Sequence, residues 1–443
     1  MTWSVVEALP REEEQMTHRI SRRTVLAGGA ALLSYAAFAP RAFSQEARLR
    51  LLWWGSQTRA DRTNKVSELF KKANPGVDIN GEFLGWSDYW PRLATQVAGG
   101  NAPDVIQMDY RYIVEYARRG ALAPLDSYLG SVLKVEDFDE VQIKGGSVDG
   151  KLYGISLGAN STAMMVNTVA FEEAGVDLPT PSTTWEELAR MGVEITKAGK
   201  RKGYYGLSDG SGVEPLLENW LRQRGKALFT ADGKIAYDAN DGAEWFAMWQ
   251  KMREDKACVP ADIQALDQFN IETSPLSLGK AATSYAHSNQ LVGYQAINKD
   301  KIVLKSHALI SKDAKGGHYR KPSMFFSVSA KSSDPEFGAK YVNFFVKDPE
   351  AAKILGVERG VPESASVREA LAPSLDELGR AALDYVSGLG ALAGDLPPPP
   401  PSGAGEAELA LRSVAEQVAF GQLDAKQGGE ALVNEVTQIL SRG

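Results

Sequence analysis

Residues 79–110 read INGEFLGWSDYWPRLATQVAGGNAPDVIQMDY. The pattern predicts a short strand over 79–84, a turn, a helix stopped by Gly99-Gly100, and a compact buried strand over 105–108. Leu93 falls one turn and Val97 two turns beyond Tyr89 and Trp90, which puts an apolar stripe on that helix. Trp86 follows the first strand, and Asp109 with Tyr110 follows the second. In a parallel α/β sheet those carboxyl-terminal ends face the ligand crevice. A ring there can stack on the C–H face of a sugar while a carboxylate accepts hydrogen bonds from its hydroxyls. The same residues would also suit a solvent-facing rim.

Working outward, Leu49 to Trp54 reads as another strand, and Val66, Leu69, Phe70 and Ala73 share one helical face before Asn74-Pro75-Gly76. Strand, helix, strand, helix, strand implies an α/β fold with a parallel sheet covered on both faces. The segment Gly55 to Arg62 reads as a loop leaving the first strand at the crevice edge. Its Ser56, Gln57 and Arg59 suit either ligand polar groups or the cap of the next helix. Arg111 suits a carboxylate clamp, a counter-charge for Asp109, or solvent.

Trp53-Trp54-Gly55, Phe70 to Pro75, Gly85-Trp86, Tyr89, Gln96 to Gly100 and Pro103 to Gln107 together resemble the extracellular solute-binding proteins of carbohydrate ABC importers. The likeness is greatest to members associated with oligosaccharides, including plant cell-wall uronide fragments. It implies the two-lobed periplasmic binding protein fold with three interlobe crossings, expected near Tyr153 to Asn160, Met324 to Ser329 and Arg359 to Pro362. One lobe would take residues 45–155 and 326–362, the other 156–325 and 363–443. The resemblance adds Trp54, Asn160, Glu214, Trp220, Ser288, Asn289 and Arg359 as candidate ligand contacts. Trp220 has a rival role in the core beside Leu217 and Leu221. It further implies a non-catalytic monomeric receptor in the periplasm, whose partners are a carbohydrate and the transmembrane permease subunits of an importer.

The 443-residue chain is long enough for two domains, and 44% hydrophobic with 24% charged residues is a globular composition. A net charge of −7 argues against a nucleic-acid surface. Residues 1–44 read as a twin-arginine-type export signal: Ser21-Arg22-Arg23-Thr24-Val25-Leu26, an uncharged run, then Ala42-Phe43-Ser44 as a cleavage site. Glu12-Glu13-Glu14 is out of place in such a leader, so translation from Met16 is an alternative start. Cys258 is the only cysteine, which excludes an intramolecular disulfide.

His287, His307 and His318 have no metal-ligand spacing, so neither a metal nor a cofactor is expected. Two rival functions remain. An exported glycoside-active enzyme would use Asp109 and Glu214 as a carboxylate pair. The same fold could instead hold a metal ion or polyamine, although the mixed candidate rim suits a sugar better. Arg59, Arg111 and Arg359 leave room for an acidic sugar. Leu396 to Gly405 reads as a proline-rich surface loop, followed by two amphipathic helices.

Overall fold

The computed structural model of the chain describes residues 48–442. The expected export signal lies outside the described residues. Strands Arg48–Trp54, Asp78–Leu84 and Val105–Met108 pair in parallel, with Arg48 opposite Asp78 and Leu51 opposite Val105. Helices Gln57–Ala73 and Trp86–Ala98 make the connections. The expected all-parallel sheet is extended by two strands through antiparallel pairings, because the chain returns at Phe325–Val328 beside Val105–Met108 and pairs there with Ile155–Ser156. All four residues of Val105–Met108 are buried, as a central strand requires. Asp78–Leu84 lies at the sheet edge and has no fully buried residue.

Two large apolar cores result. One surrounds this sheet, with Leu52, Trp53, Ile106, Phe325, Phe326 and Tyr341. The other gathers Met164, Val166, Trp185, Trp220, Trp245, Trp249, Val414 and Leu432. Each such side chain contributes roughly 1.5–3 kcal/mol through removal of apolar surface from water. Beside the second core runs a three-stranded antiparallel sheet in which Thr162–Asn167 lies between Ile302–Lys305 and Thr283–His287.

Three chain segments meet between the cores. Ala159 and Val361 exchange backbone hydrogen bonds of 2.7 and 2.8 Å, the Ser323 N–H donates to the Gly158 carbonyl at 2.7 Å, and Leu157 N–H donates to the Met324 carbonyl at 2.9 Å. One sequence expectation needs correction. The proline-rich segment is only partly a surface loop, since Leu396, Pro397 and Pro400 to Gly403 are half-buried and the Tyr110 hydroxyl donates to the Pro397 carbonyl at 2.8 Å. Among the described residues, no helix is long and apolar enough to cross a membrane.

Candidate functional site

The carboxyl-terminal ends of the three parallel strands open on a cleft enclosing about 1350 Å³ of space, part of it open to solvent. Trp54 ends the first strand there. Its ring meets Trp86 edge-on, 5.1 Å between centroids, and Tyr89 at 5.2 Å. Trp90 closes the cluster 5.3 Å from Trp86, and Tyr112 stacks on Trp90 at 3.6 Å. Edge-to-face pairs of this kind contribute about 0.5–1.5 kcal/mol each beyond burial, so the rings of the wall hold one another in place.

Asp109 follows the third strand and is held by a backbone amide and a cation. The Arg111 backbone N–H donates to its Oδ1 at 2.9 Å, and Lys321 Nζ lies 3.7 Å from its Oδ2. Burial raises the cost of its charge, but Lys321 and Arg111 outweigh that and hold the carboxyl below its usual range. The Arg111 guanidinium reaches the other wall. Its Nε sits 2.8 Å from Glu214 Oε2, its Nη1 donates to Glu408 Oε2 at 2.6 Å, and its carbon lies 5.9 Å from the Trp86 ring centre. The first contact is an ion pair without hydrogen-bond alignment, so Glu214 Oε2 finds no hydrogen-bond partner among the described residues. Arg412 also binds Glu408, while covering the Phe269 ring at 3.5 Å.

Opposite the aromatics, Asn160 Nδ2 donates to Asn289 Oδ1 at 2.7 Å, and Asn289 Nδ2 donates to the Glu358 carbonyl at 2.8 Å. Asn160 lines the cleft, and its buried Oδ1 has no hydrogen-bond partner among the described residues. His287 also lines the cleft. Burial and the nearby Lys321 push it down to about 3, leaving it neutral at ordinary pH.

The structure therefore brings eight of the twelve candidates to one cavity: Trp54, Ser56, Trp86, Asp109, Arg111, Asn160, Glu214 and Asn289. The other four lie outside the residues lining it. Helix Gln57–Ala73 starts immediately after Ser56, whose hydroxyl accepts from the Arg59 N–H at 3.5 Å, so the expected loop is a helix cap. Gln57 is exposed and donates to Asp61 at 2.8 Å. Trp220 is buried 5.7 Å from Trp245. Ser288 accepts from the Ser161 N–H at 3.3 Å. Arg359 is buried between Phe326 and Phe345, donating to Gln107 and Thr63.

Lys321, Glu358, Glu408, Arg412 and Phe269 also line the cleft and were missed. No local motif marks them: Glu408 lies 297 positions from Arg111. Among the described residues, no three His, Cys, Asp or Glu side chains are grouped to hold a metal ion.

Burial pushes Glu214 up to about 7, helped by Glu408 and opposed by Arg111. The unfolded chain gives up this proton near the ordinary carboxyl value, so stability falls as pH rises from about 4.5 to about 7, by at most roughly 1.4 kcal/mol per pH unit. Glu214→Gln removes that slope. Urea unfolding at about pH 5 and pH 7.5 should find the variant gaining on the parent by about 1–3 kcal/mol at the higher pH. An equal difference at both values would contradict the assignment.

The family model for bacterial extracellular solute-binding protein matches residues 55–352. A putative binding protein of Brucella abortus (strain 2308) is 26% identical over 236 residues, which are 53% of this chain and 56% of that protein. The chain thus spans about half the length of the curated relatives it matches. The arabinooligosaccharide-binding protein of Bacillus subtilis (strain 168) is 25% identical over 37% of each chain. A periplasmic oligogalacturonide binding protein from Yersinia enterocolitica, solved with saturated digalacturonic acid, superposes with a TM-score of 0.80. It is 24% identical, with 90% of this chain and 99% of that one covered, and shows a shared fold.

Proposed function

Because this chain belongs to the bacterial extracellular solute-binding protein family, we propose that it is an exported receptor that captures a carbohydrate in the Trp54–Trp86–Asp109 cleft and delivers it to an ABC importer permease. The observation that carries this reading is one cavity in which a preformed aromatic wall faces Asp109, Asn160 and Asn289. Rings supply the apolar face that sugar C–H groups need, and the polar groups supply hydroxyl partners. In this reading the two apolar cores are two lobes, with three crossings at residues 153–160, 324–329 and 359–362, and closure over the ligand excludes water. Ligand contacts favour the closed state only insofar as the open state lacks them. The arabinooligosaccharide-binding relative supports an oligosaccharide, and the family's extracellular character supports a periplasmic location.

Thermal unfolding of residues 45–443 against a panel of neutral and charged oligosaccharides tests this, since a ligand bound to the native state alone raises apparent stability. A concentration-dependent rise is expected with at least one class. Trp86→Ala should weaken that binding by about 10- to 100-fold, the loss of one stacking ring. No shift with any sugar would turn the reading toward another solute.

A carboxylate-pair enzyme has one observation in its favour, the opposite displacement of Asp109 and Glu214. Arg111 engages both, however, and mass spectrometry of the recovered sugar separates the cases: a receptor returns it intact.

A further inference from the structure

Resting on the carbohydrate reading, we propose that the cleft selects its sugar by charge, taking amino sugars in their protonated form most tightly and rejecting uronic acids. The sequence leaves room for an acidic sugar through three arginines, but the structure spends them internally. Arg59 is buried with its Nε 2.8 and 3.0 Å from the two Glu358 oxygens, and its Nη1 donates to the Trp54 carbonyl at 3.0 Å. Arg111 is shared between Glu214 and Glu408. Arg359 lies outside the cavity lining. A uronate that claimed Arg111 would strip Glu214, nine-tenths buried, of its counter-charge. Arg412 in turn is committed to Glu408.

What remains unsatisfied points the same way. Asn160 Oδ1 is a buried acceptor without a hydrogen-bond partner among the described residues, and Glu214 Oε2, ion-paired with Arg111 at 2.8 Å, accepts no aligned hydrogen bond; both belong to groups lining the cavity. Asp267 and Glu272 also line the cavity, so carboxylates outnumber cations around the cleft. Buried acceptors beside excess negative charge call for a ligand rich in donors, and an ammonium is a stronger donor than a hydroxyl. Lys321 is the loosest cation, 3.7 Å from Asp109, but it faces that carboxylate with Arg111 beside it.

The test is calorimetric titration of the parent protein, near neutral pH, with di- and trisaccharides in gluco and galacto configuration. Each is supplied as the neutral sugar, the 2-amino sugar and the uronic acid. Within the configuration that binds, the amino form should bind at least ~10-fold tighter than the neutral form and the uronic form at least ~10-fold weaker. Glu214→Gln should shrink the amino preference to within about threefold, because it removes the acceptor charge while keeping the shape. A uronic form that binds as well as the neutral one overturns the charge assignment and leaves a carbohydrate receptor standing. Equal binding of amino and neutral forms does the same. Binding by none of the sugars overturns both the charge assignment and the carbohydrate reading.

Discussion

Arg111→Met is expected to destabilise the protein by about 3–5 kcal/mol near pH 8, the cost of leaving a buried charge without its partner. Arg111 leaves the parallel sheet's edge and ends between Glu214, which opens helix Glu214–Gln223, and Glu408, on helix Ala404–Ala419. Both carboxylates are more than nine-tenths buried. Glu408 keeps Arg412 in the variant, so Glu214 bears most of the loss. Methionine fills much of the arginine stem's volume, which keeps a cavity from confounding the result. Since Glu214 already titrates near about 7, acid should relieve the variant by protonating it: at about pH 5 the penalty should shrink to roughly 1–2 kcal/mol. Adding Glu214→Gln to Arg111→Met should restore most of the lost stability at pH 8. Guanidinium unfolding of the parent, both single variants and the double variant reads all of this in one cycle. A pH-independent loss, or no rescue, would mean that Arg111 acts by packing and not by charge.

How far the sequence could be read depended on the range of the interaction. Alternation of strands and helices from Leu49 to Met108 is a local signal, and the rule that ligands gather at strand carboxyl ends was enough to bring Trp86 and Asp109 to one place, with Trp54 added by the family likeness. Tertiary pairing was not legible. Arg111 sits where a ligand clamp would, yet its partners come from helices more than a hundred and nearly three hundred positions away, and nothing near Glu408 announces a site. Trp220 shows the opposite limit: an aromatic on an amphipathic helix reads alike as core or platform, and only packing against Trp245 separates them. For Gln57, a helix that starts at residue 57, inside the expected 55–62 loop, moved the side chain from a loop to an exposed first turn. Arg359 was placed by a turn whose backbone reaches the three-segment junction while its side chain points into the core behind the sheet.

That junction carries the other large effect: Gly158→Ala should cost about 2–5 kcal/mol, combining backbone strain with overpacking. Gly158 has φ of +154°, and a Cβ there would stand 2.8 Å from the Gly360 carbonyl carbon and 2.9 Å from its oxygen. Neither neighbour can yield as a flexible side chain would, since both are backbone. The two backbones are drawn together by the Ala159 and Val361 hydrogen bonds, with Ser323 tied to Gly158 from a third side. Pushing Gly360 away therefore loosens several bonds at once. Gly100→Ala is the control, because Gly100 also has positive φ, +67°, but a Cβ there meets nothing within 4 Å, and its cost should be only about 1–2 kcal/mol. Urea unfolding ranks the two, and sugar titration of the folded fraction adds a second reading. If this junction is where the lobes turn against each other, Gly158→Ala should weaken sugar binding by about tenfold or more, since an altered hinge lowers the share of closed protein. Gly100→Ala should leave affinity within about twofold. A Gly158→Ala protein that is destabilised but binds normally would keep the packing account and remove the hinge from it.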